Sequence, residues 1–247
     1  MILARSFERI GRYRIHAVHA GTGAPVVLLH GLSGSHHWWR YTIPVLAERH
    51  EVHAPELIGF GRSRPGTVPT IADMAAAVGA WLDRRGLRRA HLIGHSMGGQ
   101  IAVHLTVAET DRVDRLVLAA ASGIPRPLRF AEMARLLAEL VPPRKWGRLG
   151  FWPTIALDAA RAGPLTIVGA GRALLSDDVR PLLPSITRPT LLLWGENDPL
   201  IPVAHGQQMA RLIPDARLTV LERAAHNAMA DRPAAFNATV LRFLDGR

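Results

Sequence analysis

Ser96 lies between two glycines in the segment GHSMGG, residues 94–99. The preceding residues, RAHLI, predict a short buried strand, and the residues after the serine predict a helix. A serine in such a strand-to-helix bend projects its hydroxyl from the end of a sheet, where it can act as a nucleophile. Glycine at positions 94 and 98 fits this bend because side chains there would collide. An ordinary surface turn would explain the same residues, so the pattern needs support from the rest of the chain.

A serine hydroxyl is a poor nucleophile until a neighbouring base takes its proton. The chain has 12 histidines. Seven of them fall within predicted strands or helices: His16, His19, His50, His53, His91, His104 and His205. His226 differs because it follows the last predicted strand, in ERAAHNAMADRP, where a loop can reach back to Ser96. We therefore expect His226 to be the base, with a capping or surface histidine as the alternative.

The base in turn needs a carboxylate to orient it. The predicted strand PTLLLW ends in the loop GENDPLIP, which offers Glu196 and Asp198. We favour Asp198 because Glu196 comes earlier and belongs to the turn, although an Asp-Pro pair is also a turn signal. The strand RLVLAAAS, which follows Ser96, ends without an acidic residue, and this removes the other common location. The order Ser96, Asp198, His226 is the order of one known class of serine hydrolases.

A negatively charged oxygen that develops during acyl transfer needs hydrogen-bond donors. The loop HGLSGS, residues 30–35, follows the first predicted buried strand and offers them. Gly31 permits a sharp turn, and the backbone N–H of Leu32 can join that of Met97. A plain strand-ending turn would explain the His-Gly pair alone. The prediction is stronger because four loops, all at the carboxyl ends of predicted strands, each supply one part of the catalytic site.

The elements that must position these loops alternate between strand and helix towards both ends of the chain. The predicted strands include PVVLLHG, HEVHAPELIG, RAHLIGHS, VDRLVLAAAS, TRPTLLLW and ARLTVL. This alternation predicts an α/β fold with a mostly parallel sheet and helices on both faces. The segment around Gly11 predicts a hairpin that adds antiparallel strands at one edge. Thr70, three residues before Asp73, marks one helix start, and Pro44 starts or interrupts another helix.

The alternation breaks between residues 122 and 187, where helical periodicity is punctuated by proline and glycine. We therefore divide the chain into a core of residues 1–121 and 188–247 and a helical insertion of residues 122–187. The insertion contains four large aromatic residues, Phe130, Trp146, Phe151 and Trp152. They fit either packing against the sheet or a lid over a pocket.

Length and composition narrow the class of protein. The chain has 247 residues, enough for one large domain, and it has no cysteine. Disulfides, thiolate nucleophiles and cysteine-ligated metals are therefore excluded. The net charge is +10, but the arginines are scattered apart from positions 84, 85, 88 and 89. Because no nucleic-acid motif accompanies them, we expect a solvated basic surface and no nucleic-acid partner.

The sequence also contains nothing typical of a secretory signal and no apolar run of about 18 residues. We therefore expect no membrane span and a cytoplasmic location. The oligomeric state is not readable from the sequence.

The chain resembles the α/β-hydrolase family along nearly its whole length. The matching segments are HGLSGS, PELIGFGRS, GHSMGG, GENDPLIP and AAHNAMADRPAAFNATVLRFL. The resemblance implies that Ser96 is the nucleophile, His226 the base and Asp198 its partner, with Leu32 and Met97 as oxyanion donors. It also implies that the insertion is the helical cap of the family. The loop after HEVHAP usually begins with aspartate in relatives, and Glu56 at this position puts only the local loop geometry in doubt.

The expected reaction is hydrolysis of a carboxylic ester, lactone or thioester through an acyl-enzyme, without metal or cofactor. Serine at position 96 disfavours members that use an aspartate nucleophile. Carbon–carbon bond hydrolysis of vinylogous diketones and acyl transfer to another acceptor are alternatives on the same residues. A non-catalytic ligand-binding receptor of the same fold is the alternative from a different class.

We expect a small-molecule substrate with a hydrophobic acyl group. The residues that we assign to substrate binding are Trp38, Trp39, His95, Trp146 and Trp152. For Trp38 and Trp39, ordinary core packing is an equally good interpretation.

Overall fold

The computed structural model describes residues 3–63, 69–125 and 148–246. Eight strands form one sheet within these residues. The strands are β1 (Ala4–Ile10), β2 (Tyr13–Ala20), β3 (Ala24–Leu29), β4 (His50–Pro55), β5 (Ala90–His95), β6 (Val113–Ala119), β7 (Thr190–Gly195) and β8 (Ala216–Leu221). Each predicted strand is present, including the hairpin around Gly11.

The strands lie in the order β1-β2-β4-β3-β5-β6-β7-β8. The pairs β1–β2 and β2–β4 are antiparallel, and all the others are parallel. The predicted mostly parallel sheet with an antiparallel edge is confirmed. The register places Leu29 beside Gly94 and Gly195 beside Leu221. The loops that follow β3, β5, β7 and β8 therefore leave the sheet at the same edge.

Helices cover both faces of this sheet. They are α1 (Ile43–Leu46), α2 (Ile71–Arg84), α3 (Met97–Ala108), α4 (Trp152–Ala162), α5 (Pro164–Ser176), α6 (Val203–Leu212), α7 (Ala228–Asp231) and α8 (Pro233–Leu244). Short 3₁₀ turns lie at His36–Trp39, Thr110–Arg112, Leu149–Phe151 and Leu183–Ser185. None of the described helices is long and apolar enough to cross a membrane.

Two helix starts follow the expected chemistry. The Thr70 side chain accepts the backbone N–H of Asp73 at the start of α2, which satisfies a donor that the first turn of a helix leaves without a partner. Pro44 lies in the first turn of α1, and a separate 3₁₀ turn precedes this helix. The predicted helix is interrupted here because proline lacks the N–H that would continue the preceding turn.

The core has two layers, one on each face of the sheet. Val27 and Leu29 of β3 join Trp81 and Ile101 in the layer under α2 and α3. The alternate residues of β3, Val26 and Leu28, pack in the other layer, which also contains Phe236 of α8. The alternation of side chains along a strand therefore fills both layers, and burial on both faces explains the continuous apolar sequence of the central strands.

Between β6 and β7 the described residues contain α4, α5 and two 3₁₀ turns, and no strand. Helical structure in this segment agrees with the sequence pattern, and the division into core and insertion stays a prediction. Phe151 is buried and lies 6.0 Å from Trp38 between ring centroids. Phe130 and Trp146 lie outside the described residues.

Candidate active site

Ser96 joins the end of β5 to the start of α3. Its backbone has φ 53° and ψ −118°, a conformation that residues other than glycine rarely adopt and that marks strained functional bends. A Cβ at position 94 would collide with the carbonyl group of Gly98, and one at position 98 with the carbonyl oxygen of Leu29. Glycine is therefore needed on both sides of the serine, and the bend presents Ser96 at the carboxyl edge of the sheet.

The imidazole of His226 contacts the carboxylate of Asp198. His226 Nδ1 lies 2.8 Å from Asp198 Oδ2, so Nδ1–H donates to the carboxylate. Asp198 Oδ1 accepts the backbone N–H groups of Leu200 and Ile201, each at 2.9 Å. Both oxygens of this buried carboxylate are satisfied, and the imidazole ring is held with Nε2 available to another partner.

Glu196, the alternative acid, lies in the same loop but does not contact His226. Its side chain accepts the backbone N–H of Arg223 at 3.1 Å in an exposed position. Between the two acids of the loop, the structure therefore pairs Asp198 with the imidazole.

Ser96 and His226 lie in the wall of one cavity of about 320 Å³. The other lining residues are mostly apolar: Leu32, Ser33, Trp38, Ser122, Trp152, Ile155, Leu174, Pro199, Leu200, Ile201, Ala225 and Asn227. Within the described residues, no hydrogen bond joins the Ser96 hydroxyl to the His226 ring. Such a bond is often long or absent before substrate binds, so its absence leaves Ser96 and His226 as candidates for the reaction.

The two residues predicted to supply oxyanion donors lie close to Ser96 in the fold. Leu32 lines the cavity, and Met97 begins α3 directly after the serine. Among the described residues, neither N–H donates to a backbone carbonyl. Ser33, next to Leu32, has φ 60°, so this loop is also strained. Neither N–H is therefore occupied by a backbone acceptor within the described residues, and their role as oxyanion donors stays a prediction.

His30 holds this loop in place, a role that the sequence analysis did not assign. His30 Nδ1 lies 2.8 Å from the carbonyl oxygen of Gly31, and Nε2 accepts the backbone N–H of Leu57 at 3.0 Å. Because Nε2 accepts, the proton must be on Nδ1. Burial lowers the pKa of His30 to about 4, so the ring is neutral. The only signal in the sequence was the His-Gly pair that precedes the loop.

The residues expected to bind substrate have different surroundings. Trp38 and Trp152 line the cavity. Trp39 is fully buried and packs against Phe236, with 6.3 Å between ring centroids, so core packing is its correct interpretation. His95 is also buried and is not among the lining residues. Trp146 lies outside the described residues.

Glu56 forms a buried cluster with two histidines. Its Oε2 lies 3.0 Å from His16 Nδ1, its Oε1 lies 2.6 Å from His36 Nδ1, and the backbone N–H of Arg62 donates to Oε2. Burial alone would raise the pKa of Glu56, but these hydrogen bonds outweigh burial and lower the pKa. The cluster ties β2 to the loops after β3 and β4, so the longer acid stabilises the loop geometry that the sequence left in doubt.

The same three residues resemble a metal site, because their ligand atoms lie within 4.8 Å of one another and such donors bind transition metals. Each Nδ1, however, already donates to Glu56. Coordination through Nδ1 of His16 would move its proton to Nε2, a buried atom with no partner in the described part of the chain, and a buried N–H without an acceptor is costly. The contacts are therefore explained by hydrogen bonds within the cluster.

A second cavity of about 630 Å³ lies along a different face of α4 and includes charged side chains in its lining. Pro153, Thr154, Leu157, Asp158 and Arg161 of α4 line it, whereas Ser96 does not. Ser35 Oγ donates to Asp158 Oδ2 at 2.7 Å, and burial raises the pKa of this aspartate. The Ser35–Asp158 bond therefore attaches α4 to the loop that contains Leu32.

Known proteins resemble the chain along nearly its whole length. The sequence model of the alpha/beta hydrolase family matches residues 26–239. The chain is 28% identical to the 2-hydroxy-6-oxo-6-phenylhexa-2,4-dienoate hydrolase of Burkholderia cepacia, over 95% of this chain and 92% of that protein. It is 32% identical to RutD of Azorhizobium caulinodans, whose name provisionally assigns carbamate hydrolysis, over 94% of this chain and 93% of that protein.

A solved structure agrees with the fold. The crystal structure of a hydrolase from Pseudomonas aeruginosa PA01 superposes with a TM-score of 0.83 at 27% sequence identity, and the match covers 97% of this chain and 98% of that chain. With nearly the whole of both chains covered, the fold expected from the sequence is confirmed.

Proposed function

The chain belongs to the alpha/beta hydrolase family, and from this premise we propose that it is a serine hydrolase that cleaves a carboxylic ester or a related acyl compound. One observation carries the proposal. A strained serine and an imidazole bonded to a buried carboxylate lie in the wall of the same cavity. The chemistry of nucleophilic acyl transfer requires this combination.

The reaction begins when the Ser96 hydroxyl attacks the carbonyl carbon and His226 Nε2 takes its proton. Asp198 stabilises the imidazolium through the 2.8 Å bond to Nδ1. The imidazolium then gives its proton to the leaving oxygen, and the ester bond breaks to leave an acyl-serine. Water, activated by the same imidazole, attacks the acyl-serine and releases the acid, and the proton returns to Ser96.

The N–H groups of Leu32 and Met97 stabilise the oxyanion of each tetrahedral intermediate. Met97 N–H lies at the N-terminus of α3, where the helix dipole favours negative charge. One such donor contributes about 10²- to 10³-fold to the rate in related chemistry. His30 supports this role because it holds the turn that contains Leu32.

The lining of the cavity favours a neutral, hydrophobic acyl group. Trp38, Trp152, Ile155 and Leu174 present apolar surface. Among the described lining residues there is no lysine or arginine, although the chain has a net charge of +10. A cavity of about 320 Å³ accepts a small to medium acyl chain, and a buried carboxylate on the substrate would lack a cationic partner there.

We further propose that residues 122–187 form a cap over a core made of residues 1–121 and 188–247. The cavity lining supports the assignment, because it includes Ser122, Trp152, Ile155 and Leu174 of this segment. The bond between Ser35 and Asp158 attaches the segment to the core.

Carbon–carbon bond hydrolysis is the second candidate. The similarity to the Burkholderia cepacia enzyme, whose name specifies a dienoate substrate, favours it. The same three residues serve both reactions. The substrates differ in charge, because a dienoate has a carboxylate that the described apolar lining does not neutralise.

A substrate panel separates these functions. The panel contains p-nitrophenyl esters of increasing acyl length, a lactone, a carbamate and a vinylogous diketone acid, and Ser96→Ala is the matched control. We expect the wild type to prefer neutral esters and Ser96→Ala to lose turnover by several orders of magnitude. Preferential cleavage of the diketone acid would establish the second candidate. Equal, negligible turnover in both proteins would favour a non-catalytic binding role.

A further inference from the structure

His95 lies between the loop after β3, which contains Leu32, and the loop after β8, which contains His226. Its side chain is 1% exposed. On one side, its Nε2 lies 3.0 Å from the carbonyl oxygen of His226, and the two imidazole centroids are 4.8 Å apart. On the other side, Nδ1 faces Gly31 so closely that a Cβ at position 31 would lie 3.0 Å from it. His95 therefore fills the space between the loop after β3 and the loop after β8.

The hydrogen bond to His226 determines the tautomer of His95. A carbonyl oxygen only accepts, so Nε2 must have the proton. Nδ1 has no partner within the described residues. Burial, followed by the effect of nearby His226, holds the pKa of His95 well below its ordinary value of 6.5. The ring is therefore neutral, with the proton on Nε2.

Other hydrogen bonds hold the backbone of the two residues that precede the base. The backbone N–H of Ala225 donates to Asp231 at 2.8 Å, and the backbone N–H of Asn197 donates to the Ala224 carbonyl at 2.9 Å. Within the described residues, His95 is the partner of the His226 carbonyl itself. It therefore constrains the residue whose ring must reach Ser96.

We propose that His95 is a positioning residue that sets the separation of base and nucleophile by donating Nε2–H to the His226 carbonyl. The inference rests on the proposed function. His95 precedes Ser96 in the chain, so its bond to His226 joins the serine bend directly to the loop of the base. Loss of the donor lets this loop shift, and a displacement of about 1 Å at a catalytic group can lower the rate about 100-fold.

Two substitutions separate the hydrogen bond from the packing. His95→Phe keeps an aromatic ring and removes the donor, whereas His95→Gln places an amide N–H within reach of the same carbonyl. His91→Phe is the matched control because His91 is a buried histidine at the other end of β5. We expect His95→Phe to lower kcat about 10- to 100-fold, His95→Gln to recover most of that loss, and His91→Phe to keep the wild-type kcat.

KM should stay within about twofold in all three variants, because a residue outside the cavity does not bind substrate. A wild-type kcat in His95→Phe would overturn the proposal, as would a loss that appears mainly in KM. If the wild type and Ser96→Ala are equally inactive, the proposed function fails instead. The two failures are therefore distinguishable.

A measurement on the wild-type protein keeps the test valid if a variant does not fold. Nitrogen-15 NMR of labelled histidines reports which ring nitrogen has the proton. We expect His95 to be the Nε2–H tautomer, with a proton that exchanges slowly with water. An Nδ1–H tautomer would contradict the hydrogen bond and the proposal with it.

Discussion

Within the described residues, two groups pair an imidazole with a buried carboxylate, and one of them lies in the cavity wall with Ser96. His226 Nδ1 lies 2.8 Å from Asp198. In the other group, His16 and His36 lie 3.0 and 2.6 Å from Glu56. The distances are similar and both carboxylates are buried, so contact geometry alone does not distinguish a catalytic pair from a structural one.

The two groups differ in what remains available after the pairing. Glu56 uses both oxygens on imidazoles, and the buried Nε2 of His16 has no partner among the residues that the structure describes. At Asp198, backbone N–H groups satisfy one oxygen, and the ring of His226 lines the cavity with Ser96. An imidazole–carboxylate pair can therefore do chemistry where its second ring nitrogen faces a substrate cavity, and elsewhere it stabilises the fold.

Asp198→Asn should give the largest loss of activity. The amide oxygen can still accept from Leu200 and Ile201, but its NH₂ group then faces His226 Nδ1 and favours the wrong tautomer. We expect kcat to fall about 10³- to 10⁴-fold, with a melting temperature close to that of the wild type. Steady-state kinetics and thermal melts measure both quantities. A kcat within tenfold of wild type would show that Asp198, like Glu56, has a structural role.

Glu56→Gln should show the opposite pattern. An amide cannot accept from both imidazoles and from Arg62, so a buried hydrogen bond is lost. We expect the free energy of unfolding to fall by about 3 kcal/mol, while kcat changes less than about tenfold because Glu56 does not line the catalytic cavity. Urea denaturation and kinetics on one preparation test this. A large loss of kcat without loss of stability would contradict the distinction between the two groups.

Acid should destabilise the fold through buried histidines other than His226. Burial lowers the pKa from 6.5 to about 4 in four histidines, His19, His30, His53 and His91. Between pH 6.5 and about 4 these histidines bind protons in the unfolded chain but stay neutral in the folded chain. The free energy of unfolding therefore falls as the pH falls. The lowered pKa of Glu56 acts in the same direction below about 4.5.

Burial raises the pKa of Asp158 and Asp231. As the pH falls, these two carboxyl groups bind protons in the folded chain before they do so in the unfolded chain. They therefore oppose the effect of the histidines on the free energy of unfolding. We still expect the melting temperature to fall by several degrees between pH 7 and pH 5, because the histidines are more numerous. Thermal melts across that range decide the sign. A melting temperature that rises on acidification would be inconsistent with neutral buried histidines.

Glu196→Ala should have the smallest effect. Glu196 lies in the same loop as Asp198, but it is exposed and accepts only the N–H of Arg223. We expect kcat to be unchanged and stability to change by no more than about 0.5 kcal/mol. This variant is the matched control for Asp198→Asn, and a large loss of activity would show that the loop rather than the buried carboxylate matters.

Local sequence predicted the serine bend and the parallel sheet because both depend on short patterns. A Cβ at Gly94 would collide with Gly98 inside the bend itself, although the collision at Gly98 involves the distant Leu29, and strand periodicity reflects burial. The sequence did not distinguish Trp38 from the adjacent Trp39. Trp38 lines the cavity, whereas Trp39 is buried in the core. The Glu56 cluster joins residues 40 and 20 positions apart, and no local pattern contains such contacts.

His95 shows the same limit. Its place beside Ser96 suggested substrate contact, but the fold turns its side chain towards the His226 loop. That assignment depended on where a loop 131 residues away packs, which only the tertiary structure shows.

Reaction with a fluorophosphonate tests the central claim most directly, because this reagent forms a covalent bond with an activated serine and needs no knowledge of the substrate. Intact mass and peptide mapping would locate the adduct. We predict one adduct, on Ser96, in the wild type and none in Ser96→Ala. A folded wild-type protein that takes up no reagent, or takes it up at another residue, would contradict the account.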